Sequence, residues 1–192
     1  MKILVGQRGL PTEFFNQRPG GGGGGTFVTF KDNTRILIAG GGGGGGLGKP
    51  QYGNGDPGQA TENGTQHGGY DGLGGFRYHT VSKTFDSTDI KASSGAGYRG
   101  DGDSETAGEQ AKSFLSGGAG GENVAVQNGG FGGGGFGLTH GGGGGGYSGG
   151  GVTGTKTSGT AGGGGSFNSG SYQVNEGGIN NGDGKVLITL IE

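Results

Sequence analysis

The chain has 192 residues, among them 61 glycines and only four prolines, with no cysteine and a formal net charge of −2. Glycine without a strict period of three and with so little proline excludes a collagen triple helix, and the near-neutral charge argues against nucleic-acid binding and charge-driven disorder. No apolar run is long enough to span a membrane, so we expect no membrane insertion by this domain.

Short β-strands are predicted between glycine-rich stretches in the N-terminal half. Lys2–Val5 is a short apolar segment that suits a strand. Thr26–Phe30 is rich in β-branched and aromatic residues, Arg35–Ala39 is mostly apolar, and a polar turn separates them, which predicts a β-hairpin. Phe76–Phe85 has the composition of a further strand.

Uninterrupted glycine runs organise the sequence, and they are densest within Gly129–Gly151. Glycine is unfavourable inside α-helices and ordinary strands. It suits extended helices of the polyproline II type, whose backbone N–H and C=O groups remain free to pair with neighbouring helices. We therefore predict a bundle of polyglycine II helices; the alternative is a set of flexible linkers. The runs are Gly20–Gly25, Gly40–Gly46, Gly132–Gly135, Gly141–Gly146, Gly149–Gly151 and Gly162–Gly165.

The C-terminal half contains weaker signals. Thr106 and Glu109 have capping-box spacing, which predicts a short helix over Thr106–Leu115. Val124–Val126 and Ser171–Val174 suit short strands. Lys185–Ile191 is apolar, and we expect it to pair with the first strand and close the module.

The order of strands and glycine runs resembles the glycine-rich domain of the anaplastic lymphoma kinase and leukocyte tyrosine kinase receptors. The resemblance covers nearly the whole chain, and single glycine runs contribute little to it. Its specificity comes from the order of the runs and their flanking strands. The residues that carry it are Ile3–Gln7, Thr26–Phe30, Ile36–Gly46, Ala111–Gly121, Gly129–Gly151 and Gly184–Ile188.

The resemblance implies a tumour-necrosis-factor-like β-sandwich with polyglycine helices inserted between its strands, and reception of small basic cytokines. Two departures weaken the functional part. The receptors carry cysteines in this region, and this chain has none. Where the receptors have an acidic ligand-binding segment, this chain has Gly151–Ser166, which contains Lys156 and no carboxylate.

No set of residues predicts catalysis. No cysteine nucleophile exists, no Ser-His-Asp set follows from spacing, and no glycine run leads into a phosphate-binding motif. Asp101, Asp103 and Glu105 imitate the start of a calcium loop, but Lys112 occupies the position that needs a bidentate glutamate. We therefore expect no enzyme activity, no cofactor and no metal.

Aromatic residues beside glycines are the better indication of function. Aromatic and arginine side chains on loops over a rigid scaffold commonly anchor ligands. The loop from Tyr70 to His79 combines them, so we predict ligand binding by Tyr70, Asp71, Phe76, Arg77 and Tyr78. The alternative is that such aromatics fill the core.

Together these patterns predict an all-β fold with an inserted polyglycine II bundle and little α-helix, and the resemblance implies that the fold is a TNF-like β-sandwich. We expect residues 1–192 to form one domain, excised from a larger surface or secreted protein. The function that fits best is extracellular recognition or adhesion, with a protein or surface ligand, other copies or neighbouring domains as partners. The alternatives are a structural or self-assembling spacer, and an ice-binding bundle using Thr153, Thr155, Thr157 and Thr160.

Overall fold

The computed structural model describes residues 1–12, 18–46, 53–85, 87–106, 108–123 and 127–190. Within these ranges the regular structure is almost entirely β-strand, which confirms the predicted all-β fold with little helix. A short 3-10 helix, Phe114–Ser116, lies between β5 and β6. The strands are β1 (Lys2–Leu4), β2 (Thr26–Thr29), β3 (Arg35–Ala39), β4 (Arg77–His79), β5 (Thr84–Phe85), β6 (Val152–Gly154), β7 (Gly159–Ala161) and β8 (Phe167–Asn168).

The strands form two four-stranded sheets, ordered β1-β2-β3-β8 and β5-β4-β6-β7. All neighbours in the first sheet are antiparallel. In the second sheet, β4 and β6 are parallel and the other pairs antiparallel. Parallel neighbours need a long connection, and this one includes the glycine-rich stretch Gly129–Gly151.

The predicted hairpin of β2 and β3 is confirmed, as is the strand that begins at Lys2. The N–H of Phe30 donates to the carbonyl of Thr34 at 2.8 Å and closes the turn. Asn33 adopts a φ of 71°, a conformation that asparagine tolerates better than most residues. The Asp32 carboxylate accepts the N–H of Thr34 at 2.9 Å, so the polar residues of the turn hold its shape.

The main hydrophobic cluster joins the first sheet to the glycine-rich stretch. Phe27 and Ile38 from the hairpin are buried against Tyr147, which follows the run Gly141–Gly146. Phe114 of the 3-10 helix stacks on Phe27 with ring centroids 4.8 Å apart. Burying side chains of this size contributes roughly 1.5–3 kcal/mol each, so this cluster fixes the hairpin onto the glycine runs.

The glycine runs pack against neighbouring chain segments through backbone hydrogen bonds. In the run Gly20–Gly25, N–H groups three residues apart donate to the same neighbouring segment. The bonds are Gly20→Gly45 and Gly23→Gly42, Gly21→Leu10 and Gly24→Gln7, and Gly22→Gly135 and Gly25→Gly132, all 2.8–2.9 Å.

The run Gly141–Gly146 follows the same three-residue repeat and is buried throughout. It also accepts hydrogen bonds from the N–H groups of Gly41, Gly44, Gly135 and Gly150, so it has neighbours on all sides. We call the packed runs Gly20–Gly25, Gly40–Gly45, Gly141–Gly146, Gly149–Gly151 and Gly162–Gly165 the glycine bundle. The donated bonds are Gly142→Gly20 and Gly145→Gly23, Gly143→Ser93 and Gly146→Ala96, and Gly144→Gly162 and Tyr147→Gly165.

Close approach of backbones explains why these residues are glycine. A Cβ on Gly22 would lie 2.1 Å from the carbonyl oxygen of Gly143, and one on Gly144 would lie 2.1 Å from that of Gly41. No residue of the glycine bundle has a positive φ. Glycine is therefore needed here for the space that a missing side chain leaves and not for a left-handed backbone.

Two predicted elements differ in the structure. Phe76–Phe85 is not one strand but the hairpin of β4 and β5, in which Lys83 has a φ of 56°. The helix predicted over Thr106–Leu115 is absent in the described part of that segment, Ala107 lying outside it, and only the 3-10 helix forms. The N–H of Lys112 donates to the carbonyl of Ala119, which lies outside the segment, and the carboxylate of Glu109 binds the Asn123 side chain at 2.8 Å.

The predicted C-terminal strands are also not formed. Tyr172 has a φ of 54°, which is incompatible with a strand over Ser171–Val174. Lys185–Leu190 pairs with no strand, Ile191 lying outside the described residues, and β1 has only β2 as its neighbour. The N–H of Gly184 donates to the Gly6 carbonyl at 2.7 Å, so the chain is fixed beyond the end of β1 and does not run along it. The strand predicted at Val124–Val126 lies outside the described residues.

Candidate ligand-binding surface

The second sheet presents a row of four side chains on one face. Cross-strand partners share a face of a sheet, and the register pairs Phe85 with Tyr78, Tyr78 with Thr153, and Thr153 with Thr160. In β4, β6 and β7 the residues on either side of this row are buried, whereas the row itself is half-buried or exposed. We call Phe85, Tyr78, Thr153 and Thr160 the outer row.

Aromatic rings gather at the β5 end of the outer row. The His67 ring stacks on Tyr78 with centroids 4.0 Å apart and planes 19° apart. Phe85 stands at 76° to His67, with centroids 5.6 Å apart, and at 76° to Phe76, with centroids 5.9 Å apart. We call His67, Phe76, Tyr78 and Phe85 the aromatic cluster.

Hydroxyl groups continue the surface beyond the aromatic cluster. The Thr153 side chain lies 2.9 Å from Nδ1 of His67 and donates to the Gln66 carbonyl at 3.0 Å. Gln66 and His67 have φ values of 54° and 60°, so this loop turns sharply to bring the His67 ring over the sheet. The surface therefore changes from aromatic at β5 to hydroxyl at β7.

The structure separates the five residues that the sequence predicts as a ligand site. Phe76 and Tyr78 belong to the aromatic cluster. Arg77 points to the opposite side of the sheet and is 3% exposed. Its guanidinium donates to the Asp103 carboxylate at 2.9 and 3.2 Å and to the carbonyls of Ser87 and Ile90. Arg77 thus supports the sheet from within and is not available as a surface anchor.

Tyr70 and Asp71 lie on a different surface, beside the β2–β3 turn. Asp71 binds Arg99 at 2.5 Å, and Tyr70 is 58% exposed. A cleft of about 450 Å³ opens here, and its charged side chains are two arginines and two aspartates. Its lining residues are Asp32, Asn33, Thr34, Arg35, Asp71, Tyr98 and Arg99.

Aromatic rings surround Arg35, which lines this cleft. Its guanidinium carbon lies 4.8 Å from the ring centroid of Phe167 and 5.2 Å from that of Tyr147, which are cation–π distances. Arg35 also donates to the Tyr147 hydroxyl at 2.7 Å. Burial raises the pKa of that hydroxyl, so it keeps its proton. Arg35 is held by these contacts and joins the β2–β3 hairpin to the glycine bundle.

The calcium-like aspartates and glutamate bind three different cations. Asp101 binds Lys112, Asp103 binds Arg77, and Glu105 binds Lys91. In the part of the chain that the structure describes, no three or more His, Asp or Glu side chains are grouped so as to hold a metal ion. Among the same residues, no helix has the length and apolar character needed to cross a bilayer.

The threonines considered for ice binding do not form one array. Thr153 and Thr160 are partners on β6 and β7. Thr155 and Thr157 lie in the turn between those strands, where the Thr155 N–H donates to the Ser158 carbonyl at 2.8 Å. Only two of the four therefore lie in the outer row.

Sequence reasoning missed His67, Phe85 and Thr153 as members of the surface. Tyr78 and Phe85 are both aromatic residues of one segment. A turn predicted between them would have made them cross-strand neighbours on the same face of the sheet. His67 gave no such signal, because its contact with Tyr78 depends on the loop that precedes β4. No protein-family model matches the chain, and no curated protein matches it with significance.

Proposed function

We propose that the protein is a non-enzymatic recognition module, in which a rigid glycine scaffold presents the outer row and the aromatic cluster to a ligand. The observation that carries this proposal is the side-by-side placement of exposed aromatics and threonines on one face of the second sheet. Exposed aromatics that are fixed in place lose little conformational entropy on binding, and they are common interface anchors.

The scaffold part of the proposal is that the glycine bundle consists of polyglycine II helices. Such a helix has three residues per turn, which agrees with N–H groups that address the same neighbour every three residues. A TNF-like β-sandwich, an extracellular location and a parent surface or secreted protein are proposed from the resemblance to the receptor domains. A protein or surface ligand is the proposed partner.

Binding of the labelled protein to intact cells tests the recognition role. We expect saturable binding to at least one cell type in a panel of bacterial and animal cells. The double variant Tyr78→Ala with Phe85→Ala should lose at least tenfold in apparent affinity, while its circular dichroism spectrum stays unchanged. Tyr70→Ala, an exposed tyrosine outside the outer row and the aromatic cluster, is the matched control. Absence of saturable binding to every cell type, or equal binding by the double variant, would overturn the proposal.

A second candidate function is self-assembly, and the C-terminal segment favours it. Leu187 and Leu190 are 82% and 87% exposed, and the strand β1 lies at the edge of the first sheet. Exposed apolar side chains and an unpaired strand edge each favour association with another chain. Light scattering of the whole chain and of a chain ending at Gly184 tests this candidate. A concentration-dependent increase in mass for the whole chain alone supports it, and monomers in both samples contradict it.

A further inference from the structure

We propose that the aromatic cluster binds a neutral pyranose residue of a glycan, with the hydroxyls of the outer row binding the rim of the sugar. This inference rests on the proposed recognition function and names the ligand class for the same surface. It depends on three features of the surface: the angle between the rings, the position of the hydroxyl groups and the absence of charge in the row itself.

The rings form an open corner. His67 and Phe85 are both exposed, and their planes meet at 76° with centroids 5.6 Å apart. One ring can therefore lie under a flat ligand while the other stands at its edge. A pyranose ring has the required shape, because its axial C–H groups make one face apolar, and stacking on an aromatic ring removes that face from water.

The hydroxyl groups lie where the rim of such a sugar would extend. Thr153 and Thr160 follow Tyr78 across the sheet on the same face. A few polar groups around an apolar contact surface are what fixes the orientation of a small ligand.

Charge favours a neutral ligand over a phosphate-bearing one. The outer row contains no carboxylate and no cationic side chain. Arg77, which precedes Tyr78 on β4, is buried against Asp103 on the opposite face of the sheet. Single-stranded nucleic acids also stack bases on aromatic side chains, but their binding needs a positive groove along the backbone. A neutral ring with many hydroxyls agrees better with this surface.

The fixed conformation of the corner adds to the argument. The Thr153 side chain contacts Nδ1 at the edge of the His67 ring at 2.9 Å, and Tyr78 stacks on one face of that ring. Tyr78 itself is held between Phe85 and Thr153 by strand pairing. The ligand would therefore meet rings already in place, which lowers the entropy cost of binding.

A glycan array tests the proposal. The biotinylated protein, displayed as a tetramer on streptavidin to gain avidity, is applied to immobilised pyranose-containing oligosaccharides. We expect at least one neutral oligosaccharide to bind saturably. Phe85→Ala and His67→Ala should each weaken binding tenfold or more, Phe85→Trp should retain it, and Tyr70→Ala should leave it unchanged. Thermal melting of each variant checks that loss of binding is not loss of fold.

Treatment of the target cells separates this proposal from the recognition function on which it rests. Mild periodate oxidation destroys the vicinal diols of cell-surface sugars, whereas protease treatment removes protein ligands. Loss of cell binding after periodate supports the glycan proposal. Binding that survives periodate but is lost after protease, or an array on which no saccharide binds, would overturn the glycan proposal and leave the recognition function standing. If the untreated protein binds saturably to no cell type and to no saccharide on the array, both the glycan proposal and the recognition function are overturned.

Discussion

The guanidinium of Arg77 and the carboxylate of Asp103 form a two-point ion pair on the inner side of the second sheet, with N···O distances of 2.9 and 3.2 Å. The backbone N–H of Arg77 donates to the same carboxylate at 3.1 Å. Removing one member of such a pair leaves an uncompensated buried charge. The pair thus ties β4, at the centre of the candidate binding surface, to a loop 26 residues away.

We expect Asp103→Ala to lower the free energy of unfolding by roughly 3 kcal/mol, the lower end of the range for breaking a buried ion pair. Glu105→Ala, in the more exposed pair with Lys91, should cost less than about 1 kcal/mol. Chemical denaturation of both variants gives the comparison. The double variant Arg77→Met with Asp103→Leu should recover part of the loss, and equal effects of the two single variants would contradict the prediction.

Alanine substitutions at two neighbouring glycines of one run should differ in their effect on the stability of the protein. The Gly22→Ala methyl would lie 2.1 Å from a backbone oxygen of Gly143, whereas the Gly23→Ala methyl would have Gly42 as its nearest neighbour at 3.5 Å. Gly23 borders a cleft of about 940 Å³ between the glycine bundle and the C-terminal segment, so a methyl group fits there.

Overpacking costs roughly 1–3 kcal/mol and more where backbone must move, so Gly22→Ala should lose about 3 kcal/mol or fail to fold. Gly23→Ala should be neutral or gain up to about 1 kcal/mol through the unfolded chain. Thermal melting of both purified variants measures the difference. Similar destabilisation by both would show that glycine is needed in this run for some reason other than backbone contact.

Stability should fall as the pH drops below about 6.5, because of His140. Burial lowers the pKa of this imidazole from its ordinary value of 6.5. Its Nε2 donates to the Thr155 carbonyl at 2.7 Å, and its Nδ1 accepts the Thr139 hydroxyl at 2.7 Å, so the neutral ring is bonded on both sides. The unfolded chain takes up the proton first, and stability is lost between pH 6.5 and the folded pKa.

Urea denaturation at several pH values between 7.5 and 5 measures this dependence. His140→Gln can keep one donor and one acceptor without titrating, so its stability should change less over the same range. The difference in the free energy of unfolding between the parent protein and the variant should therefore become smaller as the pH falls. If the free energy of unfolding depends on pH in the same way in both proteins, protonation of His140 is not the cause of the dependence.

Ending the chain at Gly184 should change the melting temperature little. Leu187, Ile188 and Leu190 are exposed, and Lys185–Leu190 pairs with no strand. The truncated chain keeps the bond between Gly184 and Gly6. A fall in melting temperature of more than a few degrees, measured at low protein concentration, would mean that this segment is packed in solution, as the sequence pattern predicts.

A segment's structure can be predicted from the sequence when the residues that it pairs with are close to it along the chain. The β2–β3 hairpin is predictable, because both strands and the turn residues Asp32 and Asn33 are local. The hairpin from Arg77 to Phe85 is not, because its turn contains no glycine, proline or asparagine and Lys83 supplies the positive φ. Lys185–Leu190 has the composition of a strand, yet hydrogen bonds near Gly184 direct it away from β1.

The candidate surface was predictable only in part for the same reason. Phe76 and Tyr78 are aromatic in a strand-like segment, so their alternation is visible. The burial of Arg77 depends on Asp103, and the stacking of His67 depends on a loop with positive φ at Gln66. Neither partnership leaves a local pattern. The packing of the glycine runs was predictable from their number and from the patterned segments between them, because glycine is unfavourable in α-helices and ordinary strands but suits packed extended helices.

The three-residue repeat of the glycine bundle constrains how its gene can change. Since every third N–H of Gly20–Gly25 addresses the same neighbour, an insertion or deletion of nine nucleotides keeps the remaining glycines aimed at their partners. A change of three nucleotides would turn every later residue of the run by about 120° and misdirect its hydrogen bonds. Natural length variation should therefore occur in steps of three codons within the runs and freely in the loops that join them.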